Sequence, residues 1–317
     1  MPGTSLQGSW LGISLLSPVS TTPLSDERTI ATLRRAHALG VTTFEIPEGP
    51  GYRRSERLLA AAFSEGGTEF VVLVGRSLAA LATEDVRGGS VSGDALAGRI
   101  RSSLAASAER LAPLRPGVLE WRAEADPSVS PEEDAKLLDG LQAEGVFRAW
   151  THHLPSGAPA PSLEIAGPPR PVALFSAGLS VLEPDLIAPL NGLSEVTSVG
   201  CFARDPLGSG RLDGSRFSAS IAERRPDTRP PTVRELRRDF DPVLRLGFLT
   251  EGRRRTLAQA ALQFVGRWPW VCAALVPLPS PDRLPELAEV ESVPPLSDAE
   301  VERVLSLAHG GIGMRRE

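Results

Sequence analysis

Short apolar runs alternate with longer amphipathic segments along the whole chain. The short runs are rich in Val, Ile, Leu and Phe, and the longer segments repeat apolar residues with the period of a helix. This alternation is typical of βα units and therefore of a parallel sheet. We place the strands at residues 9–15, 41–46, 70–76, 117–124, 146–153, 171–177, 195–203 and 271–278. Eight such strands in 317 residues predict an α/β fold, a (β/α)8 TIM barrel formed by one domain over residues 1–317.

Two segments interrupt the alternation. Residues 154–171 contain six prolines and two glycines, so the helix after strand five is expected to be shortened or absent. Residues 206–255 form a long polar insertion after strand seven, which predicts a loop with a short helix over the mouth of the barrel. Such a loop could shape a substrate pocket. The same sequence pattern is equally compatible with a surface insertion that has no function.

A carboxylate stands inside the second predicted strand. Glu45 lies among Thr43, Phe44 and Ile46, and the sequence PEGPG then ends the strand in a turn. Burying a carboxylate is costly unless it is paired, hydrated or functional. Glu45 is therefore either an ion-paired residue of a polar barrel layer or a catalytic group.

Further charged residues cluster at predicted strand ends. Glu120, Arg122 and Glu124 alternate along the fourth strand and so share one face, with Trp121 on the other. Charged and imidazole side chains also end other strands, namely Arg76, His152, His153 and Arg204. The carboxyl ends of barrel strands carry the active sites of TIM barrels, so these residues predict a polar layer at the mouth. A structural salt-bridge network and a substrate site explain that layer equally well.

Composition narrows the functional classes. The net charge of −5, with interspersed arginines, argues against a nucleic-acid partner. The first residues lack a basic signal region, and no apolar run reaches membrane-spanning length, so we expect a cytoplasmic protein. Cys201 and Cys272 are predicted to be reduced core residues, and no metal site is predicted. Lys136 is the only lysine and Tyr52 the only tyrosine, which limits the available chemistry.

Several motifs in order give the chain a family resemblance. They are SDERTIATLRRAHALGVTTFEIPEGPGYRRSERLLAAAF (25–63), DPLGSGRLDG (205–214), TLAQAALQFV (256–265), VPLPSPDRLPEL (276–287) and LSDAEVERVLSL (296–307). Together these segments resemble the aldo-keto reductases from the second strand almost to the end of the chain. The resemblance implies a TIM barrel and the reduction of carbonyl compounds by hydride transfer from a nicotinamide cofactor.

The resemblance also implies an Asp-Tyr-Lys-His tetrad, which this chain does not keep. Glu45 stands at the Asp position, and the Tyr position falls on Pro50, two residues before Tyr52. The Lys position holds Arg76 and the His position holds Ala123. Arginine stays protonated and cannot relay a proton as a lysine ammonium can.

The cofactor positions implied by the resemblance are changed as well. The aromatic residue that stacks on nicotinamide falls on Arg204, a poor support for a cationic ring. Ser280 and Arg283, at a predicted helix start, are a weak remnant of an anion site. We therefore expect no cofactor, with NADPH as the alternative.

The leading hypothesis is an aldo-keto-reductase-like barrel that has lost hydride transfer and performs non-redox acid/base chemistry on a small organic metabolite, for example in secondary metabolism. Cyclisation, elimination and isomerisation remain open. The candidate catalytic residues are Glu45, Tyr52 and Arg76, and the candidate substrate-binding residues are Trp10, Trp121, Arg122, Glu124, His152, His153 and Arg204. The alternatives are a non-catalytic pseudoenzyme that binds a partner protein or ligand, and a divergent NADPH-dependent carbonyl reductase.

Overall fold

Eight parallel strands close into a barrel in the computed structural model. The structure describes residues 7–15, 25–65, 69–77, 81, 93–122, 131–155, 172–216 and 232–308. The strands are β1 (Leu11–Ser14), β2 (Thr43–Ile46), β3 (Val71–Ser77), β4 (Val118–Arg122), β5 (Ala149–Leu154), β6 (Val172–Gly178), β7 (Ser198–Arg204) and β8 (Val271–Pro277). Each strand pairs with the next in chain order, and β1 pairs with β8. The predicted (β/α)8 barrel is confirmed.

Helices flank the strands. They are α1 (Asp26–Ala38), α2 (Tyr52–Ala62), α3 (Gly93–Leu111), α4 (Pro131–Ala143), α5 (Ile187–Ser194), α6 (Val233–Arg245), α7 (Leu257–Gly266), α8 (Leu284–Ala288) and α9 (Asp298–Leu307), with 3-10 turns at Gly247–Arg253 and Glu289–Glu291. Side-chain caps fix several helix starts: Ser25 accepts a hydrogen bond from the Arg28 amide, and Ser297 forms a capping box with Glu300. None of the helices in the described ranges is long and apolar enough to cross a bilayer.

The two interrupted segments are only partly described. The helix predicted to be shortened or absent after strand five falls on residues 156–171, which lie outside the described residues. The insertion after strand seven contains α6, a helix of 13 residues, so a helix is confirmed there. Residues 217–231 of the same insertion are outside the described ranges.

The interior of the barrel changes character along its axis. An apolar cluster fills the inner layer, formed by Val71, Leu73, Val118, Ala149, Leu174, Phe202, Ala273 and Leu275. Because side chains alternate between the two faces of a strand, the inward positions nearer the carboxyl ends include Glu45, Glu120, His153 and Arg204. The apolar layer therefore forms the floor below a polar mouth.

Candidate active site

Three strands contribute charged side chains that meet at the mouth of the barrel. Glu45 on β2 and Glu120 on β4 are both buried, and Arg204 on β7 lies between them. The Arg204 Nε atom is 3.0 Å from Glu45 Oε1, and its Nη1 atom is 2.9 Å from Glu120 Oε1. One guanidinium therefore joins both carboxylates across the barrel interior.

A fourth side chain, His153 on β5, completes the group. Its Nδ1 atom lies 3.1 Å from Glu120 Oε1 and 3.2 Å from Arg204 Nη1. Arg122, at the end of β4, places Nε 3.4 Å from the same Glu120 oxygen. We call Glu45, Glu120, His153 and Arg204 the mouth cluster.

Burial dominates the titration of Glu45. Its side chain is 1% exposed, and no well-aligned hydrogen bond from the described part of the chain reaches either carboxylate oxygen. Burial raises the pKa of Glu45 to about 8; Arg204 opposes this shift, and the neighbouring Glu120 adds to it. Glu45 is therefore mostly protonated at neutral pH.

Glu120 titrates in the opposite direction. Burial alone would raise its pKa, but the charge of Arg204 outweighs burial and holds the pKa of Glu120 well below its usual range. The same two carboxylates raise the pKa of Arg204, which stays charged despite its burial. The mouth cluster thus pairs a proton-carrying carboxyl group with an ionised one, the division found in acid/base sites.

A cavity of about 230 Å³ opens beside the mouth cluster. Its lining residues are Ser14, Glu45, His153, Leu154, Gly178, Arg204, Asp205, Ser209, Leu275 and Pro277. Pockets for drug-sized ligands usually measure roughly 300–1,000 Å³. The cavity therefore suits a small molecule, to which it offers both polar and apolar lining residues.

A tight turn after β7 brings Asp205 and Ser209 to this cavity. Both residues have positive φ, 51° and 55°, a conformation that Asp tolerates better than most residues. The Asp205 carboxylate accepts a hydrogen bond of 2.6 Å from the Ser209 hydroxyl. The glycines of the motif DPLGSG permit the turn: at Gly208, which also has positive φ, a Cβ would lie 2.8 Å from a Leu182 methyl carbon.

The turn that follows Glu45 packs closely against the backbone of β3. At Gly75, an inward position of β3, a Cβ would lie 2.7 Å from the Glu48 backbone nitrogen. The missing side chain lets the PEGPG turn lie against β3. Glu48 also accepts a hydrogen bond of 2.8 Å from the Ser77 hydroxyl. These contacts hold the carboxyl end of β2 and thus the position of Glu45.

Arg76, predicted to be catalytic, lies elsewhere. Its side chain leaves β3 on the helix side of the barrel, where Nε donates to Ser103 Oγ at 2.8 Å and Nη2 lies 3.5 Å from Glu56 Oε1. It also donates to Ser107, which in turn donates to Glu56. The prediction is corrected because strand alternation turns position 76 outward, while its neighbour Gly75 faces the interior.

Tyr52 belongs to the same outer network. It is the first residue of α2, and the Arg76 Cζ atom lies 4.9 Å from the centre of its ring. Tyr52 lines a separate groove between α2 and α3, together with Arg99 and Arg110. The structure therefore does not bring Tyr52 or Arg76 to the cavity that Glu45 lines.

Three further predicted substrate residues also point away from the mouth. Trp10 precedes β1 at the opposite end of the barrel, where a Cβ added at Gly266 would come within 2.4 Å of its ring. Trp121 faces outward and donates from Nε1 to Asp134 on α4 at 2.8 Å. His152 faces outward too, with its ring 4.7 Å from that of Trp150. Position along the strand, rather than residue type, excludes these side chains from the cavity.

The remaining predicted residues divide. His153 and Arg204 belong to the mouth cluster, and Arg122 contacts it through Glu120. Arg283 is engaged by the Asp213 carbonyl oxygen at 2.8 Å and by Glu286 at 2.7 Å, and Ser280 is exposed nearby. Glu124 lies outside the described residues.

Glu120 is the residue that the sequence left without a site role. The alternation of Glu120 and Arg122 placed it correctly in an interior polar layer. Its partner Arg204 lies 84 positions later in the chain, so no local sequence pattern could indicate that the two side chains are in contact. Within the described residues, no group of three or more His, Cys, Asp or Glu side chains could hold a metal ion.

Comparisons with known proteins give the family. The sequence profile described as "Aldo/keto reductase family" matches residues 8–309. The glycerol dehydrogenase of Gluconobacter oxydans is similar in structure, with a TM-score of 0.73, 18% identity and coverage of 100% of this chain and 96% of that one. An aldo-keto reductase of Bacillus halodurans in its holo form gives a TM-score of 0.69 and 15% identity, covering 96% of this chain and 94% of that one. No curated protein sequence gives a significant match. Because the profile covers nearly the whole sequence, the chain belongs to the aldo/keto reductase family.

Proposed function

We propose that this protein catalyses non-redox acid/base chemistry on a small carbonyl-bearing metabolite at the barrel mouth, without a nicotinamide cofactor. Glu45 is the group that transfers the proton. The observation that carries the proposal is the position of Glu45, a buried carboxyl group with a raised pKa that lines a cavity of about 230 Å³. A carboxyl group with a pKa near the working pH can both give and take a proton efficiently.

The charge balance at the mouth supports an uncharged substrate. When Glu45 is protonated, the formal charges of Arg122 and Arg204 balance those of Glu120 and Asp205. A site without excess charge favours neither anions nor cations. A carbonyl oxygen is the acceptor that a protonated Glu45 or a neighbouring donor could hold, and the size of the cavity limits the molecule to a small one.

The residues around the mouth fit a nicotinamide cofactor poorly. Arg204 stands where the family resemblance puts the ring-stacking aromatic residue, and its guanidinium is already engaged by two carboxylates. A fixed positive charge there disfavours the cationic oxidised ring. Arg283, the remnant of the anion site, is likewise engaged by Asp213 and Glu286.

The decisive experiment combines cofactor binding with proton exchange. Wild-type protein is titrated with NADPH and NADH by calorimetry, and hydroxyacetone and dihydroxyacetone are incubated with it in D2O while α-proton signals are followed by NMR. These three-carbon ketones suit the small cavity, and a structural relative is named for the three-carbon polyol glycerol. Proton transfer by a positioned side chain contributes about 10²–10⁴-fold, so Glu45→Gln should slow exchange by at least the lower figure.

The matched control is Glu69→Gln, which removes an exposed carboxylate paired with Arg148 on the surface. It should leave exchange at the wild-type rate. If Glu45→Gln exchanged the α-protons as fast as the wild type, the proposal would be contradicted.

A divergent carbonyl reductase is the second candidate, and family membership is the observation that favours it. It predicts saturable micromolar binding of NADPH and consumption of the reduced cofactor when a carbonyl compound is added. Such binding would move this candidate ahead of the non-redox proposal.

A further inference from the structure

We infer that His153 is a second catalytic residue, a neutral imidazole whose Nε2–H group holds the substrate carbonyl oxygen while the Glu45 carboxylate removes the neighbouring α-proton. The inference rests on the proposed function and narrows it. Of cyclisation, elimination and isomerisation, it selects reactions that begin by forming an enolate.

The first step of the argument is the hydrogen bond from Arg204. Its Nη1 atom lies 3.2 Å from His153 Nδ1 with hydrogen-bond geometry. Arginine has only donors, so the ring nitrogen must accept. A neutral histidine that accepts at Nδ1 carries its proton on Nε2.

Glu120 is the competing partner, because its Oε1 atom lies 3.1 Å from the same Nδ1 atom. A carboxylate there would favour a proton on Nδ1. However, Arg204 Nη1 already donates to this oxygen at 2.9 Å, and Arg122 Nε approaches it at 3.4 Å. Of the two contacts of Nδ1, the one with Arg204 has hydrogen-bond geometry, so Arg204 decides the tautomer and acts as a positioning residue.

The remaining ring nitrogen serves the cavity. His153 lines the cavity with a side chain that is 20% exposed, and Nδ1 is engaged by Arg204. Nε2 is therefore the nitrogen left for a ligand. Neutral imidazoles in such positions can stabilise a developing enolate.

The reaction then needs only proton movements. The α-C–H bond of the ketone breaks, its proton passes to Glu45, and its electron pair forms the C=C bond of an enolate. The enolate oxygen is held by the Nε2–H group of His153. In D2O, Glu45 exchanges its proton with solvent and returns a deuteron to the same carbon, which replaces hydrogen by deuterium. Isomerisation needs two further proton movements: the α-hydroxyl proton passes to the enolate oxygen, and Glu45 delivers its proton to the former carbonyl carbon. No oxidant or reductant is consumed.

The test uses the exchange assay with hydroxyacetone and dihydroxyacetone. Loss of one oxyanion donor costs about 10²–10³-fold, so we expect His153→Ala to slow exchange by about 100-fold or more. His153→Gln should recover part of the rate, because its amide can donate a hydrogen bond. His152→Gln is the matched control, since His152 faces the helices, and it should exchange at the wild-type rate.

The pH profile and the ring tautomer give independent readings. If Glu45 is the base, the exchange rate of the wild type rises as the pH passes about 8. The charged groups that face Glu45 and His153 are Glu120 and Arg204, with Arg122 and Asp205 at the rim. The pKa of Glu120 is lowered and that of Arg204 is raised, so neither of these two titrates near that pH. Histidine-selective ¹⁵N NMR should show the His153 ring with its proton on Nε2.

Specific outcomes would overturn the inference. They are exchange in His153→Ala at the wild-type rate, equal losses in the Ala and Gln variants, or a proton on Nδ1. If Glu45→Gln alone loses exchange, the proposed function stands and the role of His153 fails. If the wild type exchanges neither ketone, the proposed function is contradicted, and the ring tautomer still decides the assignment of His153.

Discussion

At the residue scale, Glu45 and Glu120 are alike in chemistry and burial but differ in charge. Both side chains are almost completely buried, and both contact Arg204. Glu120 has the additional contacts of Arg122 and His153, whereas no well-aligned hydrogen bond from a described residue reaches Glu45. When two buried carboxylates share one cation, the one with more polar and charged partners ionises and the other keeps its proton.

This difference predicts how Glu45→Gln changes the pH dependence of stability. The pKa of Glu45 rises from 4.5 to about 8 on folding. The stabilising contribution of the protonated group is therefore complete below pH 4.5 and is lost as the pH rises through 8. Within that window, the free energy of unfolding of the wild type should fall relative to Glu45→Gln by about 1.4 kcal/mol per pH unit.

Urea unfolding of both proteins at pH 5, 6.5 and 8 measures the effect. Glu120 does not interfere, because its lowered pKa moves its own contribution below pH 4.5. Glu69→Gln is the control and should parallel the wild type at each pH, since Glu69 is exposed. Parallel curves for wild type and Glu45→Gln would mean that Glu45 is ionised in the folded protein.

At the scale of elements, a buried network outside the barrel joins β3, α2 and α3. Glu56 on α2 is fully buried and contacts Arg76 on β3, together with Ser107 and Arg110 on α3. A buried carboxylate needs such partners, because leaving it unpaired costs several kcal/mol. The network therefore fixes the two helices against the strand and gives Arg76 a structural role.

Two substitutions test this role. Arg76→Lys keeps the charge but loses donors to Ser103 and Ser107, so we expect the free energy of unfolding to fall by about 1–3 kcal/mol. Tyr52→Phe keeps the ring beside Arg76 and should cost about 1 kcal/mol or less. Neither should change the rate of α-proton exchange at saturating ketone.

The two readouts separate the interpretations. Unfolding is measured by urea titration and exchange by NMR, with Glu45→Gln as the variant that should lose exchange while remaining folded. A stable Tyr52→Phe protein without exchange would return Tyr52 to the catalytic site.

At the scale of the whole molecule, Arg204 connects opposite parts of the barrel. Through one guanidinium, β7 contacts β2 and β4, and the contact with Glu120 spans 84 positions of sequence. The apolar layer lies directly below this ion cluster. The low dielectric of that layer strengthens the pairing and makes loss of the cation expensive.

Arg204→Met should therefore destabilise the barrel by about 3–5 kcal/mol at pH 8, because the ionised Glu120 and the partly ionised Glu45 lose their cation. The deficit should shrink at pH 5, where protonation removes part of the uncompensated charge. Arg122→Met is the control: Arg122 contacts the same Glu120 but is one-third exposed, so its loss should cost about 1 kcal/mol or less. If urea unfolding gave the same loss of stability for both variants, the role of Arg204 in joining β7 to β2 and β4 would be contradicted.

The sequence by itself determined the class of fold, the order of the strands and the existence of a polar layer. The alternation of apolar runs and amphipathic segments is enough to indicate a barrel, because each βα unit must bury one strand and one helix face. Ser25 and Ser297 stand at the starts of α1 and α9, where serine is a preferred N-cap residue. On β4, the alternation of charged and apolar residues showed that Glu120 and Arg122 share one face and that Trp121 lies on the other.

Only the tertiary structure decided which side chains form the site. The run FVVLVGR is apolar throughout up to its end, so it gives no sign that Arg76 faces outward and Gly75 inward. Strands of a parallel barrel are buried on both faces, and a shift by one residue exchanges inside for outside. The same limit misplaced Trp121 and His152. The contacts of Arg204 with Glu45 and Glu120 exist only because barrel closure brings distant strands together.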